Sequence, residues 1–255
     1  MKMWYITPYG REIDLLHDGD WFVGVAYGGI SGMVGTVSSS TVSAVGVPGE
    51  LVTNDQIPKM TGDLTLHVAA GVGHPPVDEV AAEIRKGVQA KRDGTLVLDM
   101  ENGNPIVSTP VRRNGVINPP VEVLRGADYA EMRVPLVSFL GGWLEDVQVR
   151  SGNVTVTNNG DAFLWPTLMV KSSGSITLPS GESYEISAPA GSTISLDPYS
   201  SHEVVHPDGT VDEAASALTE VMNLGEGIPE GESRSYITTG GVHLMWQILI
   251  LDPWG

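Results

Sequence analysis

Turn-forming dipeptides recur along this chain at intervals that leave room only for short elements. Asp18-Gly19, Asp93-Gly94, Asn102-Gly103, Asn114-Gly115, Asn159-Gly160, Ser180-Gly181 and Asp208-Gly209 each stand between apolar segments. Glycine reaches positive φ without steric cost and Asn or Asp tolerate it, so such pairs end strands, and several of them are expected to close hairpins. The short apolar or alternating runs fall at 21–25, 35–45, 64–69, 95–99, 122–124, 133–139, 153–157, 167–171, 175–178, 183–188, 192–196 and 242–251. A series of this kind specifies a mainly β chain built as sandwiches or barrels.

Two segments carry a helical period instead. Over 76–91, Val77, Val80, Ala81, Ile84 and Val88 recur at three- and four-residue steps. Pro76, Asp78 and Glu79 open this segment and Lys91 and Arg92 close it, which suits the helix dipole. Over 212–222, Ala215, Leu218, Val221 and Met222 form a stripe behind Asp212 and Glu213, a second and shorter helix. The strand pattern changes near Arg150, so the expected organisation is two β-sandwich or barrel domains, 1–150 with the amphipathic helix and 151–255. Neither a low-complexity linker nor an internal repeat marks the division, which predicts directly packed domains or a short connection.

Charge removes one class of function. Thirty-one acidic residues against fourteen basic ones give a net charge of −17, which opposes sequence-specific contact with nucleic-acid phosphates. The absence of cysteine rules out disulfide scaffolds, thiolate zinc sites and cysteine nucleophiles. Pro8, Gly10, Arg11, Glu12 and Asp14 interrupt the first residues, so no secretory h-region forms and an intracellular start is expected. The most apolar stretch, 21–35, is too short and too rich in glycine to span a bilayer.

The search for chemistry yields no site. No GxxxxGK[ST] loop is present, and Gly28-Gly29-Ile30-Ser31-Gly32 lacks the Lys and the following helix, so nucleotide binding has no motif to rest on. Gly29-Ile30-Ser31-Gly32 also fails the GxSxG elbow of serine hydrolases and reads as a flexible turn. His202 and His206 have a ligand-like i, i+4 spacing, but Glu203-Val204-Val205 between them reads as strand, which would hold them about 13 Å apart; turn histidines are the simpler reading. Among the acids, Asp18, Asp20, Glu145 and Asp146 are pairs that a fold could bring together for glycoside hydrolysis, yet they read as solvated surface charges. Trp4, Trp21, Trp143, Trp165, Trp246 and Trp254 could stack on sugars, but most read as core, Trp21, Trp143 and Trp246 lying inside apolar runs. Trp254, beside Pro253 at the chain end, is either a plug for its own sandwich or an anchor at a subunit interface. No catalytic, cofactor-binding or metal residue is therefore assigned, and an enzyme is not expected.

One segment carries a resemblance. Residues 152–170, GNVTVTNNGDAFLWPTLMV, look like the start of the C-terminal domain of siphophage distal tail (Dit-like) proteins: a strand, an Asn-x-Gly-Asp-Ala turn, an aromatic-Pro step and a second strand. The residues make physical sense of it, with Asn159-Gly160 expected to form a tight positive-φ turn and Pro166 to enter a strand at an edge that can spare a donor. The short segments 175–178, 181–186, Ala190-Gly191-Ser192 and Ser195-Leu196-Asp197 follow the strand order of that family's galectin-like sandwich, 228–233 resembles its Pro-x-Gly turn before the final strands, and 243–254 would close the sandwich. More loosely, residues 10–21, Pro48-Gly49-Glu50-Leu51, 64–68, the helix over 76–91 and Gly94-Thr95-Leu96 are similar to its tail-tube-like N-terminal domain. The regions 102–124 and 212–222 fall outside the pattern.

The resemblance implies a structural subunit of the virion tail, assembled in the host cytoplasm, that forms a homohexameric ring between the tail tube protein and a tail-tip or tail-associated hub protein. It implies no cofactor. An acidic channel wall would repel passing DNA. Other readings are a carbohydrate-binding module for host-surface recognition, another tail tube or baseplate subunit, and a tail hydrolase. The galectin signature His-x-Asn-Pro-Arg is absent, since His206-Pro207-Asp208 supplies neither the Asn nor the Arg that would bind sugar hydroxyls.

Overall fold

The alternation in Lys2–Ile6 turns Met3 and Tyr5 inward and leaves Lys2, Trp4 and Ile6 half-covered, the period-2 signature of a strand with one buried face. The same logic, repeated, builds the chain. A computed structural model describes residues 1–16, 23–43, 45–46, 48–70, 73, 75–101 and 103–254; the expected run at 21–22, Trp21 and the turns at Asp18-Gly19 and Asn102 lie outside them. The fold is mainly β, as the spacing of turns predicts, and it divides into two compact units, 1–145 with 250–255, and 146–249.

In the first unit the strands are β1 (Lys2–Ile6), β2 (Glu12–Asp14), β3 (Val23–Gly32), β4 (Ser38–Val42), β5 (Leu51–Gln56), β6 (Met60–Ala69), then helix α1 (Val77–Gly87), β7 (Gly94–Asp99), β8 (Val107–Arg113), β9 (Tyr129–Ser138) and β10 (Trp143–Glu145). One sheet runs β2-β1-β7-β8-β9-β6-β3, with β10 added beside β8. The β6–β9 pair is its longest ladder, in register from Met60↔Ser138 to Ala69↔Tyr129. Helix α1 lays Val77, Val80, Ala81 and Ile84 onto β6 and β9, and Leu64, Leu66, Met132, Val134 and Leu136 meet it from the sheet. Fully burying side chains of this size contributes about 1.5–3 kcal/mol each. Burial also pushes the Tyr5 phenol well above its ordinary value, and Tyr5 Oη donates to the Gly87 carbonyl at 3.1 Å, tying β1 to the end of α1.

The second unit comprises β11 (Gln148–Arg150), β12 (Gly152–Thr157), β13 (Thr167–Val170), β14 (Gly174–Thr177), β15 (Ser183–Ile186), β16 (Thr193–Ser195), β17 (Val204–Val205), helix α2 (Glu213–Thr219), β18 (Ser233–Thr238) and β19 (Val242–Trp246). Its strands form two antiparallel sheets, β11-β19-β13-β16-β17 and β12-β18-β14-β15. Leu168, Val170, Ile194, Val242 and Leu244 from the first sheet and Val154, Val156, Ile176, Ile186 and Tyr236 from the second form one buried cluster, the arrangement of a sandwich. Tyr236 satisfies its buried hydroxyl by donating to the Glu226 carbonyl at 2.7 Å.

Several expectations need correction. The chain returns to the first unit at its end: the short strand β20 (Leu249–Ile250) pairs with β10, and Gly35 N donates to the Leu251 carbonyl at 2.8 Å. Residues 250–254 therefore do not close the second sandwich. Helix α1 stops at Gly87, because Val88 takes an extended backbone while keeping its side chain buried; Arg85 and Lys86, not Lys91 and Arg92, stand in the last turn. Helix α2 ends at Thr219, and its stripe is rotated, so that Leu218 and Val221 are exposed while Thr219 is buried, its Oγ1 donating to the His202 carbonyl at 2.7 Å. Residues Val121–Leu124 form a 3-10 turn rather than a strand; Pro119 and Pro120 before it have no N–H to give a ladder.

The turn at Asn159-Gly160 is also built differently. Neither residue has positive φ. Glycine is required because a Cβ at Gly160 would lie 2.4 Å from the Leu249 carbonyl oxygen and 2.6 Å from the Ile248 side chain. Pro166 leads into β13, the central strand of its sheet; standing one residue ahead of the strand, it removes no ladder donor, and its carbonyl accepts from Leu196 N at 2.9 Å. Ser180-Gly181 and Asp208-Gly209 do close tight turns, with φ of 93° and 84° at the glycines.

Candidate interaction surface

The residues weighed for chemistry do not converge. His202 is buried, and its Nδ1 lies 2.9 Å from the Ser195 carbonyl. His206 faces the Asp212 carboxylate at 3.6 Å and the Ser192 hydroxyl at 3.4 Å, an arrangement that ties the turn after β17 to the start of α2, where Asp212 caps Ala215 N at 2.9 Å. Among the described residues no three His, Asp or Glu side chains gather as a metal would need. Ser31 lies on β3 in register with Asp63, whose carboxylate is held by Arg133 at 2.7 Å. Glu145 ends β10 and the exposed Asp146 follows it, while Asp18 and Asp20 fall outside the described residues.

The tryptophans are structural in their surroundings. Trp143 is fully buried and donates from Nε1 to the Met33 carbonyl at 2.9 Å. Trp254 packs edge-on against it at 6.3 Å between ring centroids. Trp246 lies against the core of the second unit. Trp165 stacks with Phe163 at 4.5 Å, and both rings cover Gly227, where a Cβ would come within 2.3 Å of Phe163. That pair is seated on backbone rather than free as a platform.

What stands out instead is an arm. Strands β4 and β5 form a sheet of two strands only, and every residue of both is exposed. Val42, Leu51 and Val52 are among the exposed residues, with Leu51 at 63 %. A hairpin with neither a third strand nor a hydrophobic face packed on a core is at best marginally stable in water. Here a few polar contacts hold it, Thr53 Oγ1 to the Ser40 carbonyl at 2.9 Å and Thr41 Oγ1 to Glu50 at 2.6 Å. Sequence reasoning placed a strand at 35–45 but missed the arm, because Ser38-Ser39-Ser40-Thr41 has no apolar alternation; the available signal was that very absence next to Val42, Leu51 and Val52.

Backbone edges accompany the arm. Strands β2 and β3 end the path of the first sheet, and β11, β17, β12 and β15 end the sheets of the second unit. Unpaired edges of this kind are templates for pairing with another chain unless they are short or charged, and β2 (Glu12-Ile13-Asp14) is both.

The architecture is shared with phage proteins. No protein-family model and no curated protein sequence matches the chain. Among solved structures, the crystal structure of SPP1 Dit, described as a paradigm of the hub adsorption apparatus in phages infecting Gram-positive bacteria, aligns over 98 % of this chain and 99 % of its own, with a TM-score of 0.62 and 13 % identity. A chain of the phage P2 baseplate in its activated conformation with Ca aligns over 97 % and 98 %, with a TM-score of 0.53 and 9 % identity. Carried through both compact units and across nearly the whole length of each chain, the likeness gives this protein the fold of the Dit hub and baseplate proteins of phages.

Proposed function

We propose that the chain is a non-enzymatic structural subunit of a phage tail, of the distal tail protein type, which forms a closed ring, six-membered by expectation, between the tail tube and the tail tip. The observation that carries this reading is the near end-to-end agreement of fold with SPP1 Dit. The exposed two-stranded arm supports it, because an arm with no core of its own gains stability only when a neighbour covers it. A ring needs a heterologous contact, one face of each subunit against a different face of the next, with a rotation that closes. Tail-tube-like ring formation would belong to the first unit and a galectin-like peripheral role to the second. In this position the partners are further copies of the chain, the tube protein and a tip or hub protein, and the chain's place is the virion tail after assembly in the host cytoplasm. The net charge of −17 suits a channel wall that lets DNA pass without adhering.

Electron microscopy of the purified protein tests this. The expected images are closed rings with a central opening. Compact particles of single-chain size under all conditions, together with binding on a glycan array, would support a carbohydrate-binding module instead.

A further inference from the structure

Asn-Gly pairs stand at 102–103, 114–115 and 159–160 in this chain. Such a pair is reactive as well as turn-forming. Glycine has no Cβ to shield its own nitrogen, so that nitrogen can reach the amide carbon of the preceding Asn side chain and close a five-membered ring. Two conditions decide whether it does: the Gly N–H must be free of a hydrogen bond, and the Asn side chain must be free to turn. Asn102 lies outside the described residues, and the fold treats the other two pairs oppositely.

At Asn159-Gly160 the nitrogen is held. Gly160 is buried, and its N–H donates to Asn158 Oδ1 at 3.0 Å. Asn158 is fixed in turn by the carbonyls of Ala162 and Ile228. The related pair Asp208-Gly209, whose carboxyl could close the same ring, is restrained likewise: Gly209 N donates to the His206 carbonyl at 2.9 Å, and Asp208 Oδ1 accepts from Thr210 N at 3.0 Å. Asn114-Gly115 lacks such restraint. It follows the end of β8, and both residues are exposed. Gly115 has a φ of 138°, where glycine is at ease and other residues are not. Asn114 is anchored by its backbone, N donating to the Pro135 carbonyl at 2.9 Å. Among the described residues, no hydrogen bond engages the Asn114 side-chain amide or Gly115 N.

We propose that Asn114-Gly115 is a self-modification site, at which the chain converts Asn114 to aspartate and isoaspartate without an enzyme. Gly115 N gives its proton to water or hydroxide and attacks Asn114 Cγ. The bond from Cγ to the side-chain nitrogen breaks, and that nitrogen leaves as ammonia with a proton from water, so that a succinimide remains. Water then opens the ring: addition at Cγ restores the original backbone as aspartate, and addition at the main-chain carbonyl carbon leaves the chain running through Cγ as isoaspartate. Amide and water have become carboxylate and ammonium, with no change of oxidation state. Either product adds negative charge. Asn114 lines an open groove with Ser31, Asp63, Arg133 and Pro135, so the new carboxylate enters the surface where Arg133 already holds Asp63 at 2.7 Å. The proposal needs no partner and does not depend on the ring reading.

Peptide mapping of aged full-length protein tests it. Samples kept at neutral and at mildly alkaline pH are digested with pepsin in acid, which halts the reaction. Mass spectrometry with electron-transfer fragmentation then separates aspartate from isoaspartate. In the native protein the peptide holding Asn114 is expected to gain the mass of an amide-to-acid conversion, with both isomers present, and to gain it faster as pH rises because the attacking nitrogen must lose its proton. Asn159 is expected to convert about tenfold or more slowly, since its ring closure first requires the Gly160 hydrogen bond to open, and tenfold corresponds to about 1.4 kcal/mol. In denaturant the two pairs are expected to convert at similar rates, which assigns the difference to the fold rather than to the dipeptide. An Asn114 peptide that keeps its amide in the native protein while the denatured chain converts would overturn the proposal, as would equal rates at Asn114 and Asn159 in the native protein.

Discussion

Trp254 meets Trp143 edge to face, with 6.3 Å between ring centroids and 76° between ring planes. The contact ties the last residues of the chain to the core of the first unit, although more than a hundred residues of the second unit intervene. Trp143 is fully buried and Trp254 partly so.

Replacement of Trp254 by Ala removes the ring that covers Trp143 and leaves a hollow that the surrounding strands fill only in part. Full burial of a Trp would cost about 3–5 kcal/mol on truncation, and the partial exposure of Trp254 reduces this to roughly 2 kcal/mol. The expected result is a lower midpoint of calorimetric unfolding for the first unit, with the transition of the second unit unmoved. Loss of the second transition instead would contradict this placement of the chain end.

Asn158 is the polar residue on which the turn before β13 depends. It is fully buried; its Nδ2 donates to the carbonyls of Ala162 and Ile228, both at 2.9 Å, and its Oδ1 accepts from Gly160 N at 3.0 Å. Asn158→Ala takes the partner from the Ala162 carbonyl and the Gly160 N–H, while the Ile228 carbonyl keeps its bond from Leu164 N at 2.9 Å; at about 1–3 kcal/mol for an unsatisfied buried group, a loss of about 2–4 kcal/mol is expected in denaturant titration. The same substitution at neighbouring Asn159 is expected to change stability by less than about 0.5 kcal/mol.

The Arg112 guanidinium donates to the Asp93 carboxylate and holds it below the usual carboxylate range. A depressed folded-state pKa means that the pair's contribution is present above the unfolded pKa and is lost as pH falls through the folded one. Because the pair is substantially exposed, the effect is small and weakened by salt. Asp93→Asn is expected to lower stability slightly at neutral pH and above at low ionic strength, and to converge with the parent as pH falls through the folded-state pKa of Asp93, which flattens the acid side of the profile. Chemical denaturation at a series of pH values checks it; a variant that differs from the parent only at acid pH would contradict the sign.

Much of this architecture is legible in the sequence, because β-sheet alternation and Gly-centred turns are local signals. The first helix is recognised from its period, yet its last turn is over-read, since Val88 keeps the helical spacing of a buried side chain after the backbone has turned extended. In helix α2 the stripe of Leu218 and Val221 fits the period as well as the stripe that is buried, and only the packing of Thr219 against His202 decides between them. The arm is invisible as such, for a strand that packs on nothing carries no burial pattern. Asn-Gly propensity draws attention to Asn159-Gly160, whereas the decisive group is the preceding Asn158, whose importance comes from backbone partners up to seventy residues away.

The central claim, that the chain is a self-assembling ring subunit, is tested most directly by its mass in solution, measured by light scattering across a range of concentrations. The account predicts a species at about six times 27.1 kDa, or an equilibrium between that species and the single chain that shifts toward the larger one as concentration rises. A mass of one chain at every concentration would contradict it.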